Sequence, residues 1–197
     1  TSRKLKKTIG LFPFHVFYAT EKGDESQLIM TKVKPTSHEV VGALNQLASM
    51  CGAELAAEFD KYKYEVGLAG TDRRELAVFR QTDARFTRHT PRLFGIYEDA
   101  ERESYVIVQE FLTDMELMDS ANDVSRWTDV HIRAALQGIA ECHAIWFDRD
   151  DSLKSTDWLG HYPTAQGRTR LMRLYALLNT HAAHEFPHWI GEKESRR

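Results

Sequence analysis

The segment Leu28-Ile29-Met30-Thr31-Lys32-Val33-Lys34-Pro35 has the composition of a β-strand. It is rich in apolar and β-branched residues and stops at a proline, which predicts a strand that ends before Pro35. Alternate side chains of a strand lie on one face, so Met30, Lys32 and Lys34 are expected to point the same way.

The residues around this strand extend the pattern on both sides. Residues 15–20 are β-branched and aromatic, and residues 21–25 form a turn-like segment with Gly23, so we expect a hairpin with residues 27–34. Thr36 or Ser37 can cap a helix whose apolar residues recur every three or four positions to about Tyr62. After Gly67 and Gly70, Asp72 can cap a shorter helix that carries Glu75.

The second half of the chain changes in character. Residues 93–97 and 105–112 read as two more strands, residues 113–127 as a polar linker, and the chain is helical from about Thr128. Strands with few helices followed by helices alone indicate an α+β fold. The expected domains are a mixed lobe over residues 1–112, the linker 113–127, and a helical lobe begun by residues 128–197.

Composition excludes several classes of protein. A chain of 197 residues with net charge −3 and two cysteines is neither a disulfide framework nor a dedicated nucleic-acid binder. It has no membrane-length apolar run and no signal-peptide pattern, so the expected location is the cytoplasm. Residues 98–123 hold nine acids and one base. They read as a solvated turn and linker or, alternatively, as an acidic wall facing a cationic substrate.

Four segments together resemble the aminoglycoside phosphotransferase/choline kinase family, relatives of the protein kinases. They are the lysine strand 28–35, the glutamate helix Arg74-Glu75-Leu76-Ala77-Val78-Phe79, the strand pair 91–97 and 105–112 that leads to a hinge, and the helix segment Ile139-Ala140-Glu141-Cys142-His143-Ala144-Ile145-Trp146-Phe147. The resemblance implies a kinase-like N-lobe, binding of ATP with Mg²⁺, and phosphoryl transfer to the hydroxyl of a small molecule.

The resemblance assigns residues to the nucleotide. A lysine positions the phosphates, and a carboxylate holds that lysine in place. Lys32 is the expected lysine and Glu75 its partner, with Met30 over the adenine; Lys34 is the main rival of Lys32. The backbone of Glu110, Phe111 and Leu112 would bind the adenine edge. The alternatives are that Lys32 is an exposed lysine of an edge strand and that Glu75 is an acid favoured by a helix N-terminus.

The chain departs from the family pattern in two places. Residues 8–14 hold one glycine and no clear first strand, where a phosphate-covering loop is expected. No His-x-Asp catalytic loop is present, so no catalytic residue is assigned. We therefore expect a fragment of a longer phosphotransferase that is inactive alone. The alternative is a kinase-like interaction or scaffold module without catalysis.

Three further predictions concern the helical part. His143 is expected to be a hydrogen-bonded core histidine. His181, His184 and His188 could bind Zn²⁺ but are better read as a polar helix end, and no metal site is assigned. The apolar residues between 171 and 190 would be exposed where a helical lobe is cut, and they could support a homodimer. No membrane or nucleic-acid partner is expected.

Overall fold

The computed structural model describes residues 8–118, 123–160 and 164–187. These residues form an α+β structure, as predicted. Their strands are β1 (Gly10–Thr20), β2 (Gly23–Val33), β3 (Leu93–Asp99) and β4 (Ser104–Glu110). Their helices are α1 (Ser37–Met50), α2 (Ala53–Tyr62), α3 (Thr71–Phe79), α4 (Ala84–Thr87), α5 (Asp129–Ala144), α6 (Asp150–Lys154), α7 (Ala165–Arg170) and α8 (Met172–Glu185).

The chain divides into two compact units, each made of two segments. The sheet unit comprises residues 1–34 and 73–158, and the helical unit comprises residues 35–72 and 159–197. The domains expected from the sequence are contiguous segments, unlike these two units. A change of composition shows where the character of the chain changes, but not which distant segments pack together.

The sheet is antiparallel throughout, with the strand order β1-β2-β4-β3 over the described residues. The expected hairpin is present, but its strands are longer and its turn shorter than predicted. Thr20 pairs with Gly23, so only Glu21 and Lys22 form the loop. Gly23 has φ of 120°, a conformation that glycine adopts without the steric cost of a side chain.

The early start of β1 corrects the reading of residues 8–14. Gly10 to Phe14 belong to the strand, and Pro13 lies opposite Met30. A proline has no N–H to donate, so sheets accept it mainly in edge strands, and β1 is the edge of this sheet. The strand therefore runs through Pro13, although a proline often marks the end of a strand.

A small apolar core lies between the sheet and α3. Leu76 of α3 and Tyr105 and Ile107 of β4 are buried together. The partly buried side chains packed against them are Phe79, Leu93 and Ile96. This core fixes α3 to the sheet face from which Tyr105 and Ile107 project.

The helical unit has its own core. The buried residues are Ala48, Leu55, Phe59, Leu171 and Leu174. The single helix expected from residue 37 to about 62 is two helices, because the chain turns at Gly52, whose φ of 131° no helical residue adopts. Thr36 caps α1 with a complete capping box that includes Glu39.

The predicted exposed surface beyond residue 171 is only partly present. Leu171 and Leu174 are buried in the core of the helical unit, whereas Met172, Tyr175 and Leu178 are exposed. Residues 188–190 lie outside the described part of the chain. The proposed homodimer thus loses two of the residues on which it was based and stays a prediction.

The apolar stripe of α5 is not buried. Its residues Val130, Ile132, Leu136 and Ile139 are exposed, while Ile145 just after the helix is buried. His143 is exposed as well, so the prediction of a core histidine is wrong. Among the described helices, none combines the length and the apolar character that a membrane crossing requires.

Candidate functional site

Strand β2 presents its lysines on the face covered by α3. Lys32 lies opposite Leu11 of β1 and Ile107 of β4, and Ile107 belongs to the core beneath α3. Directly opposed residues of neighbouring strands share a face, so Lys32 projects on the side of α3. Because β2 lies between β1 and β4, the alternative of an exposed edge-strand lysine is wrong.

Lys34 continues the same face just beyond the end of β2. Its backbone N–H donates to the carbonyl oxygen of Tyr105 at 2.8 Å, which holds this end of the strand against β4. The side chain of Lys34 is 11 % exposed, and that of Lys32 is 33 % exposed. The two lysines therefore share a face but differ in their access to solvent.

Helix α3 supplies the carboxylate that both lysines contact. Glu75 precedes the fully buried Leu76, so the packing of Leu76 positions the Glu75 side chain beside β2. Lys32 Nζ donates to Glu75 Oε1 at 2.5 Å, and Lys34 Nζ donates to Glu75 Oε2. The structure thus brings Lys32 and Glu75 together, and it adds Lys34 to the same carboxylate.

The charge state of Glu75 follows from these contacts. Partial burial alone would raise its pKa, because the charged form loses hydration. The hydrogen bonds from Lys32 and Lys34, together with their positive charges, outweigh burial and hold the pKa of Glu75 below its ordinary value. Glu75 is therefore a carboxylate at neutral pH, and the three side chains carry a net charge of about +1.

Met30 lies two residues before Lys32 in β2. It is opposite Pro13 of β1 and Gln109 of β4, and its side chain is half-buried. Met30 and Lys32 therefore sit side by side on one sheet face. The Gln109 side-chain oxygen is buried and has no hydrogen-bond partner among the described residues.

The expected hinge residues fall at and beyond the end of β4. The backbone N–H of Glu110 donates to the carbonyl oxygen of Arg92 at 2.8 Å, and the Glu110 carboxylate accepts from the Arg92 N–H at 3.2 Å. The Glu110 N–H is thus already paired. Phe111 and Leu112 lie just past the end of β4, next to the last pair of the β2–β4 ladder, Ile29 with Glu110.

Two open clefts flank Glu110. One, of about 500 Å³, is bordered by Phe79, Phe86 and Leu93. The other, of about 460 Å³, is bordered by His89, Glu110 and Leu112. Lys32 and Glu75 line neither of these two clefts.

Sequence reasoning missed a cluster beside the second cleft. His89 Nε2 lies 2.8 Å from Glu141 Oε2, and Gln137 donates to the other oxygen of Glu141 at 3.1 Å. A Cβ atom on Gly138 would lie 3.3 Å from the His89 ring, so the glycine allows the ring to approach α5. No spacing in the sequence could have paired residues 52 positions apart.

The histidine and metal alternatives have little structural support. His184 Nδ1 lies 3.1 Å from the neighbouring Glu185 carboxylate, as at a polar helix end. The described residues contain no group of three or more His, Cys, Asp or Glu side chains placed to hold a metal ion. His188 lies outside the described residues.

Comparison of the chain with protein-family models, with curated proteins and with solved structures found no match in any of the three.

Proposed function

We propose that this chain is the nucleotide-binding, N-terminal part of a kinase-like phosphotransferase that uses ATP with Mg²⁺ to phosphorylate a hydroxyl of a small molecule. The observation that supports it most is the contact between Lys32 and Glu75, at 2.5 Å, in a half-buried position on the sheet face under α3. An ammonium held by a carboxylate beside an apolar strand is suited to bind phosphate oxygens.

The assigned residues act by binding and orientation. Lys32 would contact the nucleotide phosphates, Glu75 would keep the Lys32 side chain in place, and Met30 would pack against the base. Phe111 and Leu112 would hydrogen-bond the adenine edge through their backbone groups, while Glu110 would contribute at most its carbonyl. No residue of this chain is assigned to the chemical step.

The described residues suit the anionic nucleotide better than its metal. The lysine pair offers donors for phosphate oxygens, whereas residues 8–118, 123–160 and 164–187 contain no cluster of His, Cys, Asp or Glu placed to ligate a cation. Octahedral Mg²⁺ commonly takes one or two carboxylates together with phosphates and waters. We therefore assign no Mg²⁺ ligand here, and the chemistry of the metal would be its usual neutralisation of phosphate charge.

A second function has one specific observation in its favour. Residues 10–14 form part of β1 and not a glycine-rich loop, so no phosphate-covering loop precedes β2 in the described residues. A kinase-like module that serves as a scaffold would need neither such a loop nor ATP. This alternative predicts a stable chain that binds no nucleotide.

Isothermal titration with ATP and Mg²⁺ separates the two functions. We expect the wild-type chain to bind and Lys32→Ala to bind at least about tenfold more weakly, which is about 1.4 kcal/mol. Lys22→Ala is the matched control, because it removes the same charge from the hairpin loop of the same sheet. Absence of wild-type binding would favour the scaffold, and equal affinity of Lys32→Ala and wild type would contradict the assignment of Lys32.

A further inference from the structure

Two lysines and one glutamate are more than is needed to attach α3 to β2. A single ion pair would join the helix to the strand, yet each oxygen of the Glu75 carboxylate receives its own lysine. Lys32 lies in β2 and Lys34 directly follows that strand, so the second contact joins no additional element. The sequence offers Lys34 as a rival of Lys32 for one position, whereas the structure uses both.

The two lysines differ in how firmly they are held. Lys34 is held by its backbone hydrogen bond to Tyr105, and its side chain is 11 % exposed. Lys32 is three times as exposed, so its ammonium is the one that a ligand can reach. An ammonium has three N–H donors, and one contact with Glu75 leaves two for a phosphate group.

We propose that Lys34 is a positioning residue for phosphate binding: it holds the Glu75 carboxylate through Oε2, so that Lys32 is oriented by Oε1 and stays free to bind the ligand. This role rests on the proposed function. Lys34 also leaves the cluster with a net positive charge, which a phosphate-bearing ligand requires. With Lys34 removed, Lys32 and Glu75 would neutralise each other.

The low pKa of Glu75 agrees with this arrangement. Hydrogen bonds from both lysines overcome the effect of burial on that carboxyl. Loss of Lys34 would remove one hydrogen bond and one positive charge from a half-buried carboxylate. The pKa of Glu75 should then rise.

The test measures the affinity of ATP, ADP and adenosine for four proteins: wild type, Lys34→Ala, Lys34→Arg and the control Lys22→Ala. Lys34→Ala should bind ATP and ADP roughly five- to tenfold more weakly and adenosine within about twofold of wild type, because only the phosphates meet the lysines. Lys34→Arg restores the charge and should recover most of the lost affinity. Equal weakening for adenosine and ATP would show a merely structural role, and unchanged ATP binding would overturn the proposal.

A second measurement does not depend on nucleotide binding. In a ¹³C NMR titration of the Glu75 carboxyl, Lys34→Ala should raise its pKa above the wild-type value, as Lys32→Ala should. An unchanged pKa in Lys34→Ala would overturn the positioning role even if ATP binds. If wild type binds no nucleotide, the proposed function fails, and the titration still decides whether Lys34 holds Glu75.

Discussion

Each of the two units contains a glutamate that meets two cations, and the two clusters are built differently. In the helical unit, the buried Glu58 of α2 accepts from Lys61 at 2.7 Å and lies 3.6 Å from Arg173 of α8. Both cations meet the same oxygen, Oε2, and both are more than half exposed. In the sheet unit, the cations of Glu75 come from one strand, take separate oxygens and are less exposed.

The difference indicates what each cluster does. Arg173 joins α8 to α2 twice, through Glu58 and through Glu54 at 3.0 Å, so its charge has a structural use. Lys61 is three residues from Glu58 on the same helix, an ordinary pair of neighbours along one helix. Lys32 adds no attachment that Lys34 does not already provide, and its side chain is 33 % exposed. A lysine that the fold does not need for attaching α3 is available to bind an anionic ligand.

The largest expected effect lies in the apolar residues next to the clusters. Leu76→Ala and Leu174→Ala should each lower the free energy of unfolding by about 2–5 kcal/mol, because each removes a fully buried side chain from a small core. Chemical denaturation measures this loss. Leu117→Ala, at a side chain that is 90 % exposed, is the control and should change little. A cost below about 1 kcal/mol at Leu76 would mean that α3 is not fixed by this core.

A smaller effect separates the two kinds of cation. Arg173→Ala should lower the free energy of unfolding more than Lys32→Ala does, because it removes both contacts that join α8 to α2. Lys32→Ala should stay within about 0.5 kcal/mol of wild type, because Lys34 still pairs with Glu75. Urea denaturation of both variants makes the comparison. A larger loss of stability in Lys32→Ala than in Arg173→Ala would contradict the assignment of a structural role to the Glu58 cluster and a binding role to the Glu75 cluster.

The smallest expected effect is a dependence on pH. The pKa of Glu75 is lower in the folded chain than its ordinary value of 4.5, so the stability that this carboxylate contributes is present above that pH and is lost as pH falls through the lowered pKa. Glu75→Gln should therefore flatten the fall in stability just below pH 4.5.

The matched control for pH is Asp83, which caps α4. Hydrogen bonds from the Arg85 side chain and backbone lower the pKa of Asp83 to about 2 from 3.8. Asp83→Asn should thus flatten the stability curve in a lower window, between pH 3.8 and about 2. Denaturation series from pH 7 to pH 2 test both variants, and an identical window for the two would contradict the assigned contacts.

Local sequence patterns predicted much of the sheet unit. The β-branched run before Pro35 predicted a strand with two lysines on one face, and the resemblance of residues 74–79 to a kinase helix brought Glu75 to that strand across 43 residues. The contact of Lys34 with the same Glu75 carboxylate could not be predicted. The alternation of side chains along a strand shows which face a residue lies on, but not which residue it contacts.

Tertiary context explains the remaining differences. Pro13 stands inside β1 because that strand is an edge, and Gly52 divides a helix whose apolar periodicity is otherwise continuous. Periodicity predicts an apolar stripe, such as that of α5, but not whether another element covers it. The contact between Arg173 and Glu54, 119 residues apart, has no local signal at all.

A crystal structure of the chain with ADP and Mg²⁺ would show whether the Lys32 ammonium binds nucleotide phosphate. We expect a phosphate oxygen within about 3.2 Å of Lys32 Nζ, with Lys34 still on Glu75 Oε2 and the adenine edge at the backbone of Phe111 and Leu112. A nucleotide bound elsewhere, with Lys32 contacting Glu75 alone, would contradict this expectation.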